Sequence, residues 1–283
     1  MTPGRRRRRW PGRVLLLLLL VAVLGGAYFG VSGMVRNFGG PMCRAVALGN
    51  EVRFDPEQTA NAATITAVAL RRGLPARAAT IALATAIQES DLRNVGYGDR
   101  DSLGLFQQRP SQGWGTAAQV RDPVYSAGKF YDALVKIANY ESRNITEVAQ
   151  QVQRSAYPEA YADHEQEGRV LASTLAGHSP GGIGCRLDRA TSAGAPAAVV
   201  SGLKRELAVA GAVSSGRVVA TARSEQLAWA AGAWTVAHGA QHGVTSVTVG
   251  SRTWTRTRDE AGWSWSPAPT PAPTPRTVVV TFA

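Results

Sequence analysis

Cysteine is scarce in this chain of 283 residues, which has only Cys43 and Cys185. Two cysteines exclude a disulfide-dense scaffold and leave one pairing. With no further cysteine or suitably spaced histidine beside either one, a metal site built on them is disfavoured. The bridge would close a loop of about 140 residues and contribute at most ~5 kcal/mol on the chain-entropy model. Acids are missing from the first thirteen positions, where six of the 31 basic residues stand, Arg5 to Arg9 and Arg13. The rest of the chain carries 25 basic and 20 acidic residues, a net +5. Such a balance suits an anionic surface weakly and gives no reason to expect a nucleic-acid partner.

Directly after the arginines, Val14 to Val35 runs without a charge. As a helix this stretch would span roughly 33 Å, the thickness of a bilayer core. The positive-inside rule then makes residues 1–13 a cytoplasmic basic segment and 14–35 a transmembrane signal-anchor, with the remainder extracytoplasmic. A nucleic-acid patch followed by a buried core helix is set aside, because the two adjacent features explain each other. Gly25-Gly26-Ala27 would also serve as a small-residue processing site, in which case the chain is secreted.

Beyond the anchor, the pattern is helical up to the second cysteine. Asp55 as cap, Pro56 at the first helical position, Gln58 at the capping-box position and Gly73 as the stop predict a helix over 56–72. The apolar "PARAATIALATAIQES" predicts a buried central helix over 75–90. Asp122-Pro123 and Thr146 open two more, and a fourth runs from Pro158 to Gly177. From Asp91 to Arg121 neither helical nor strand periodicity is sustained, which implies loops and turns. Residues 43–185 thus read as a mainly α domain, nearly all helical, and 186–197 as a linker. Residues 198–283 read as a small α+β domain with an antiparallel sheet, its last two strands separated by the polyproline-like "PAPTPAPTP". That domain's role is open, with a protein partner as one reading.

One glutamate stands out for chemistry. Glu89 falls at the carboxyl end of the apolar helix, where burial and the negative end of the helix dipole both favour the protonated form. A carboxylic acid kept protonated near neutral pH is what glycoside cleavage needs to protonate its leaving oxygen. The loop beyond it holds Asp91, Asp99 and Asp101, any of which would either activate a water as a second carboxylate or serve as a turn cap. Tyr97 and Trp114 lie in the same irregular stretch and read either as stacking platforms for sugar or as core. His238 and His242 are spaced i, i+4 but lack an evident third ligand, so no metal or other cofactor is expected.

Glu89-Ser90, then Gly104-Leu105-Phe106-Gln107, then Pro110 resembles the "ES … GLMQ..P" signature of soluble lytic transglycosylases in the lysozyme-like superfamily. Gly128-x-x-Tyr131 resembles a further element of that family. The resemblance covers about residues 50 to 178. It implies a lysozyme-like helical fold in which Glu89 alone acts as acid and base on the glycan strand of peptidoglycan. It also implies that Ser90 helps to orient the acid, that Gln107 and Tyr131 border the cleft, and that Tyr161 packs near Glu89. Two departures stand out: Val124 and Tyr125 replace the Asn-Ile that usually precedes the G-x-x-Y helix, and the loop aspartates leave a hydrolase open. A catalytically inactive wall-binding or assembly module of a secretion or conjugation apparatus is the competing reading.

Overall fold

The computed structural model describes residues 40–153, 158–191 and 193–283. Among them no helix is long and apolar enough to cross a membrane. This corrects the expected fold, which began with a transmembrane helix. The longest described helix has 16 residues and reaches roughly 24 Å, short of a bilayer core of about 30 Å. The stretches that prompted the expectation, residues 1–13 and 14–35, lie outside the described residues.

The expectation of a nearly all-helical region between the cysteines also needs correction, because it is bounded by strands. Strand β1 (Met42–Ala47) pairs antiparallel with β2 (Asn50–Phe54) on one side and β3 (Ile183–Arg186) on the other. The β1–β2 hairpin turns through Leu48 and Gly49, both at positive φ, the geometry that a two-residue turn between twisted strands requires. Cys43 lies opposite Cys185 in the β1–β3 register, and the two are joined as a disulfide.

Helix α1 (Pro56–Arg71) begins with the anticipated capping box: Gln58 donates its N–H to Asp55 at 2.9 Å, and Asp55 donates its own to the Gln58 side chain at 2.9 Å. Helix α2 (Ala76–Ser90) buries every residue from Ala78 to Ile87. Then follow the one-turn α3 (Ala117–Val120), α4 (Pro123–Leu134), capped by Asp122, and α5 (Ile145–Gln153). The single helix expected from 158 to 177 is two pieces, a 3-10 segment Pro158–His164 and α6 (Glu165–Leu175). Helix α6 crosses α2 at Gly168, where a Cβ would lie 2.8 Å from the Thr80 carbonyl oxygen, so only glycine permits the approach.

The C-terminal portion comprises α7 (Pro196–Leu207), β4 (Gly211–Ser214), β5 (Arg217–Thr221), α8 (Glu225–Ala237), the short α9 (Gly239–His242), β6 (Val244–Val249), β7 (Arg252–Thr255), β8 (Ser266–Pro267) and β9 (Thr277–Phe282). Its strands form one antiparallel sheet in the order β4-β5-β9-β6-β7-β8. Val247, Val249, Val278 and Val280 are fully buried on the face that meets α8, whose Gly232 admits the Val249 side chain. The opposite face carries hydroxyls, among them Thr248 and Thr281, and borders the proline-rich insert.

Residues 186–197 do not divide two bodies. Pro41 to Ala283 form one compact unit with a continuous core, in which α8 packs on α1 and the Trp265 indole donates to the Ile183 carbonyl at 2.8 Å.

Candidate active site

The buried length of α2 delivers Glu89 to the surface at its last turn, partly covered. The Tyr161 hydroxyl, from the 3-10 segment ahead of α6, donates to Glu89 Oε1 at 2.7 Å. Gln153, the final residue of α5, makes a second side-chain hydrogen bond to the carboxylate. Burial pushes the Glu89 carboxyl above its ordinary value, while these two hydrogen bonds pull it part of the way back. The result is an acid biased toward its protonated form and held in a fixed orientation.

The irregular loop is fastened to the same helix end. Gln153 Nε2 donates to the Phe106 carbonyl at 2.6 Å, so one amide ties the carboxylate to the Gly104–Gln107 turn. Ser90 Oγ donates to the Leu105 carbonyl at 2.8 Å and to Ala86 at 3.1 Å. Gly104 has φ +75, and a Cβ there would sit 2.4 Å from the Val120 carbonyl oxygen, so the turn needs glycine twice over. Leu105 and Phe106 are fully buried, and Phe106 stacks on Phe130 with centroids 4.7 Å apart.

Several expected roles change at this resolution of detail. Ser90 was expected to orient the acid; its hydroxyl instead holds the Leu105 and Ala86 carbonyls. Gln107 directs its amide back to the carbonyls of Tyr97 and Gly104, at 3.3 and 3.2 Å, bracing the loop from within. Tyr131 is not a cleft residue: its ring is fully buried, its hydroxyl donates to the Ile65 carbonyl at 2.9 Å, and burial drives its pKa well above the ordinary phenol range. Tyr97, by contrast, is 76% exposed and available as a platform. Trp114 is half-buried against the core and, with Gln153, lines a groove of about 640 Å³.

The loop carboxylates divide as well. Asp101 accepts from Arg109 at 2.9 Å and from both the backbone and the hydroxyl of Ser111, at 2.7 and 2.9 Å, which holds it well below the usual carboxylate range. Such a group braces a loop and makes a poor base. Asp99 is 87% exposed, 3.9 Å from the Arg100 guanidinium. Asp91 takes the left-handed conformation that ends α2, and its carbonyl accepts from Gln58 Nε2 at 2.9 Å.

Of the histidine pair, His238 belongs to the core and His242 is half-buried. His238 is buried, stacks on Trp234 at 4.0 Å and hydrogen-bonds the Trp234 carbonyl at 2.8 Å, and burial lowers its pKa to about 4. Among the described residues no group of three or more His, Cys, Asp or Glu side chains could hold a metal ion.

Sequence reasoning missed Gln153. It lies outside every motif in the chain, and its place beside Glu89 depends on where α5 stops relative to α2. No model of a protein family matches the chain, and no curated protein matches it.

Proposed function

We propose that this protein cleaves the glycan strands of peptidoglycan, with Glu89 as the single acid and base, in the manner of the lytic transglycosylases whose signature its sequence resembles. The observation that carries the reading is the Glu89 carboxyl, kept toward its protonated form by burial and clamped by Tyr161 and Gln153 beside a groove. Glu89 gives its proton to the glycosidic oxygen as the sugar gains oxocarbenium character. The carboxylate left behind takes a proton from the sugar's own 6-hydroxyl, which closes on the anomeric carbon to give an anhydro end. A two-carboxylate hydrolysis is less well supported, because Asp101 is committed to Arg109 and Ser111 and Asp99 projects into solvent. The Cys43–Cys185 bridge favours an oxidising, extracytoplasmic compartment, where this substrate is found.

Incubation with purified sacculi and mass spectrometry of the released fragments tests the proposal. Anhydro ends are expected, with release reduced by about 10² to 10⁴ in Glu89→Gln, the usual worth of a general acid. Reducing ends would assign hydrolysis instead. Sacculus binding with no release would turn the assignment to a binding or assembly module.

A further inference from the structure

The outward face of the three-stranded sheet gathers positive charge for which the Glu89 site has no use. Arg44 on β1 and Arg53 on β2 stand directly opposite one another in the strand register, and Arg186 on β3 lies opposite Met42. All three leave the sheet on the side away from the buried Cys43, Ala45 and Cys185. Like charges opposed on neighbouring strands destabilise a sheet, so the arrangement needs something to hold it. Trp263, the last residue of a 3-10 turn over Glu260–Trp263, does so. The guanidinium carbons of Arg44, Arg53 and Arg186 are 5.5, 5.6 and 5.3 Å from its ring centroid, within cation–π range. Backbone packing places that ring. A Cβ at Gly184 would lie 2.5 Å from the Trp263 carbonyl group, and the Gly262 carbonyl accepts the buried Trp254 indole N–H at 2.9 Å. One carboxylate, Glu51, serves two of the cations, at 3.6 Å from Arg44 and 2.7 Å from Arg53. Three positive charges and one negative therefore share a small area, in which the Arg44 and Arg53 side chains are 26% and 59% exposed.

We infer that this face binds phosphodiester groups, and that its ligand is a base-free polyanion in which polyols are joined by phosphodiesters. Guanidinium forks meet phosphate oxygens two at a time, a geometry that lysine does not offer. Adjacent strands are 4.7–4.9 Å apart, so arginines on three of them span roughly 10 Å at their bases, wide enough to meet more than one phosphate of a chain. Single-stranded nucleic acid would also call for free aromatic platforms on which its bases stack. The Trp263 ring is taken up by guanidinium groups, and for the same reason it is not free to enter a bilayer. None of these residues contributes to the Glu89 site, so binding here stands or falls apart from glycan cleavage.

Titration of end-labelled poly(glycerol phosphate) with the full chain, followed by fluorescence anisotropy, tests the inference. Arg44→Gln/Arg53→Gln should weaken binding about tenfold at low salt. Arg217→Gln/Arg223→Gln, which removes the same charge from exposed positions elsewhere, should change it less than about twofold. Arg5 to Arg9 and Arg13 are present in every variant and act on all values alike. Glu51→Gln lifts the internal neutralisation and should tighten binding about threefold, a gain that a damaged fold does not produce. The slope of log affinity against log salt should become shallower by about 1.4 in the Arg44/Arg53 variant, the share of two phosphate contacts on a single strand. Equal losses in the two double variants, or no gain in Glu51→Gln, would mean a diffuse field and overturn the inference. It is overturned equally by polyglutamate that binds as tightly as the phosphate polymer, by oligothymidylate that binds more tightly at equal phosphate number, or by binding to phosphatidylglycerol vesicles alone. Those three results would give the face to carboxylates, to nucleic acid or to a membrane.

Discussion

Glu89 at the end of α2 and Glu206 at the end of α7 are both glutamates whose carboxyl groups burial pushes above the ordinary value. Around Glu206 everything is closed. It is 8% exposed, accepts the Trp234 indole N–H at 2.7 Å and is hydrogen-bonded by Thr64, which joins α7, α8 and α1. Glu89 has donors of the same number but is itself only partly covered, and one of the donors, Gln153, lines a groove and also fixes the adjoining loop. A raised pKa is thus common to a structural and a candidate catalytic carboxyl. Access and the origin of the hydrogen-bond donors separate them.

The sharpest way to break that comparison is to make both glutamates glutamine. Glu89→Gln should lose about 10² to 10⁴ in glycan release, whereas Glu206→Gln should stay close to the parent rate. Stability should respond at both positions, with a definite sign. A carboxyl whose pKa is raised in the folded state binds its proton more tightly there than in the unfolded chain. Stability therefore falls as pH rises from the ordinary value of 4.5 through the folded value. Glu206→Gln should accordingly melt at or above the parent temperature at neutral pH, with the gap closing in acid, as thermal denaturation across pH would record.

Next in size is removal of the bridge. Cys43→Ser/Cys185→Ser releases a loop with a sequence separation of 142 and should cost up to ~5 kcal/mol in denaturant unfolding. Glu206→Ala, which strands the buried indole N–H of Trp234, should cost ~1–3 kcal/mol by the same measurement while sparing catalysis in the folded fraction. The smallest effect is expected at Tyr161. Its hydroxyl donates to the charged form of Glu89, so Tyr161→Phe should raise the acid's pKa further. The basic limb of the pH–rate profile then moves to higher pH, with a rate loss of about tenfold.

What could be read from the chain follows the range of the interactions involved. The capping box of Asp55 and Gln58 and the Asp122-Pro123 helix start are local signals, and the structure places helices there. Strand β1 escaped because its inward positions are Cys43, Ala45 and Ala47 rather than β-branched or aromatic residues, and β2, which turns Val52 and Phe54 inward, escaped with it because Leu48-Gly49 is an unusual spelling of the two-residue turn that joins them. In the site, motif spacing marked positions but not directions. Gly128-x-x-Tyr131 drew attention to a tyrosine whose hydroxyl points into the core, and Ser90 and Gln107 turned out to brace the loop. Gln153 had no local signal because its contact with Glu89 joins segments 64 residues apart, through the termination of one helix beside another.

The Cys43–Cys185 link has a further consequence for survival under proteolysis. It turns everything from β1 to β3, including α2 and the loop that carries Asp99 and Tyr97, into a closed covalent ring. A protease that cuts once at an exposed loop within the ring linearises it without detaching either end. The nicked chain keeps β1 and β3 in register, keeps Glu89 and Tyr161 on the same covalent body, and retains its C-terminal sheet.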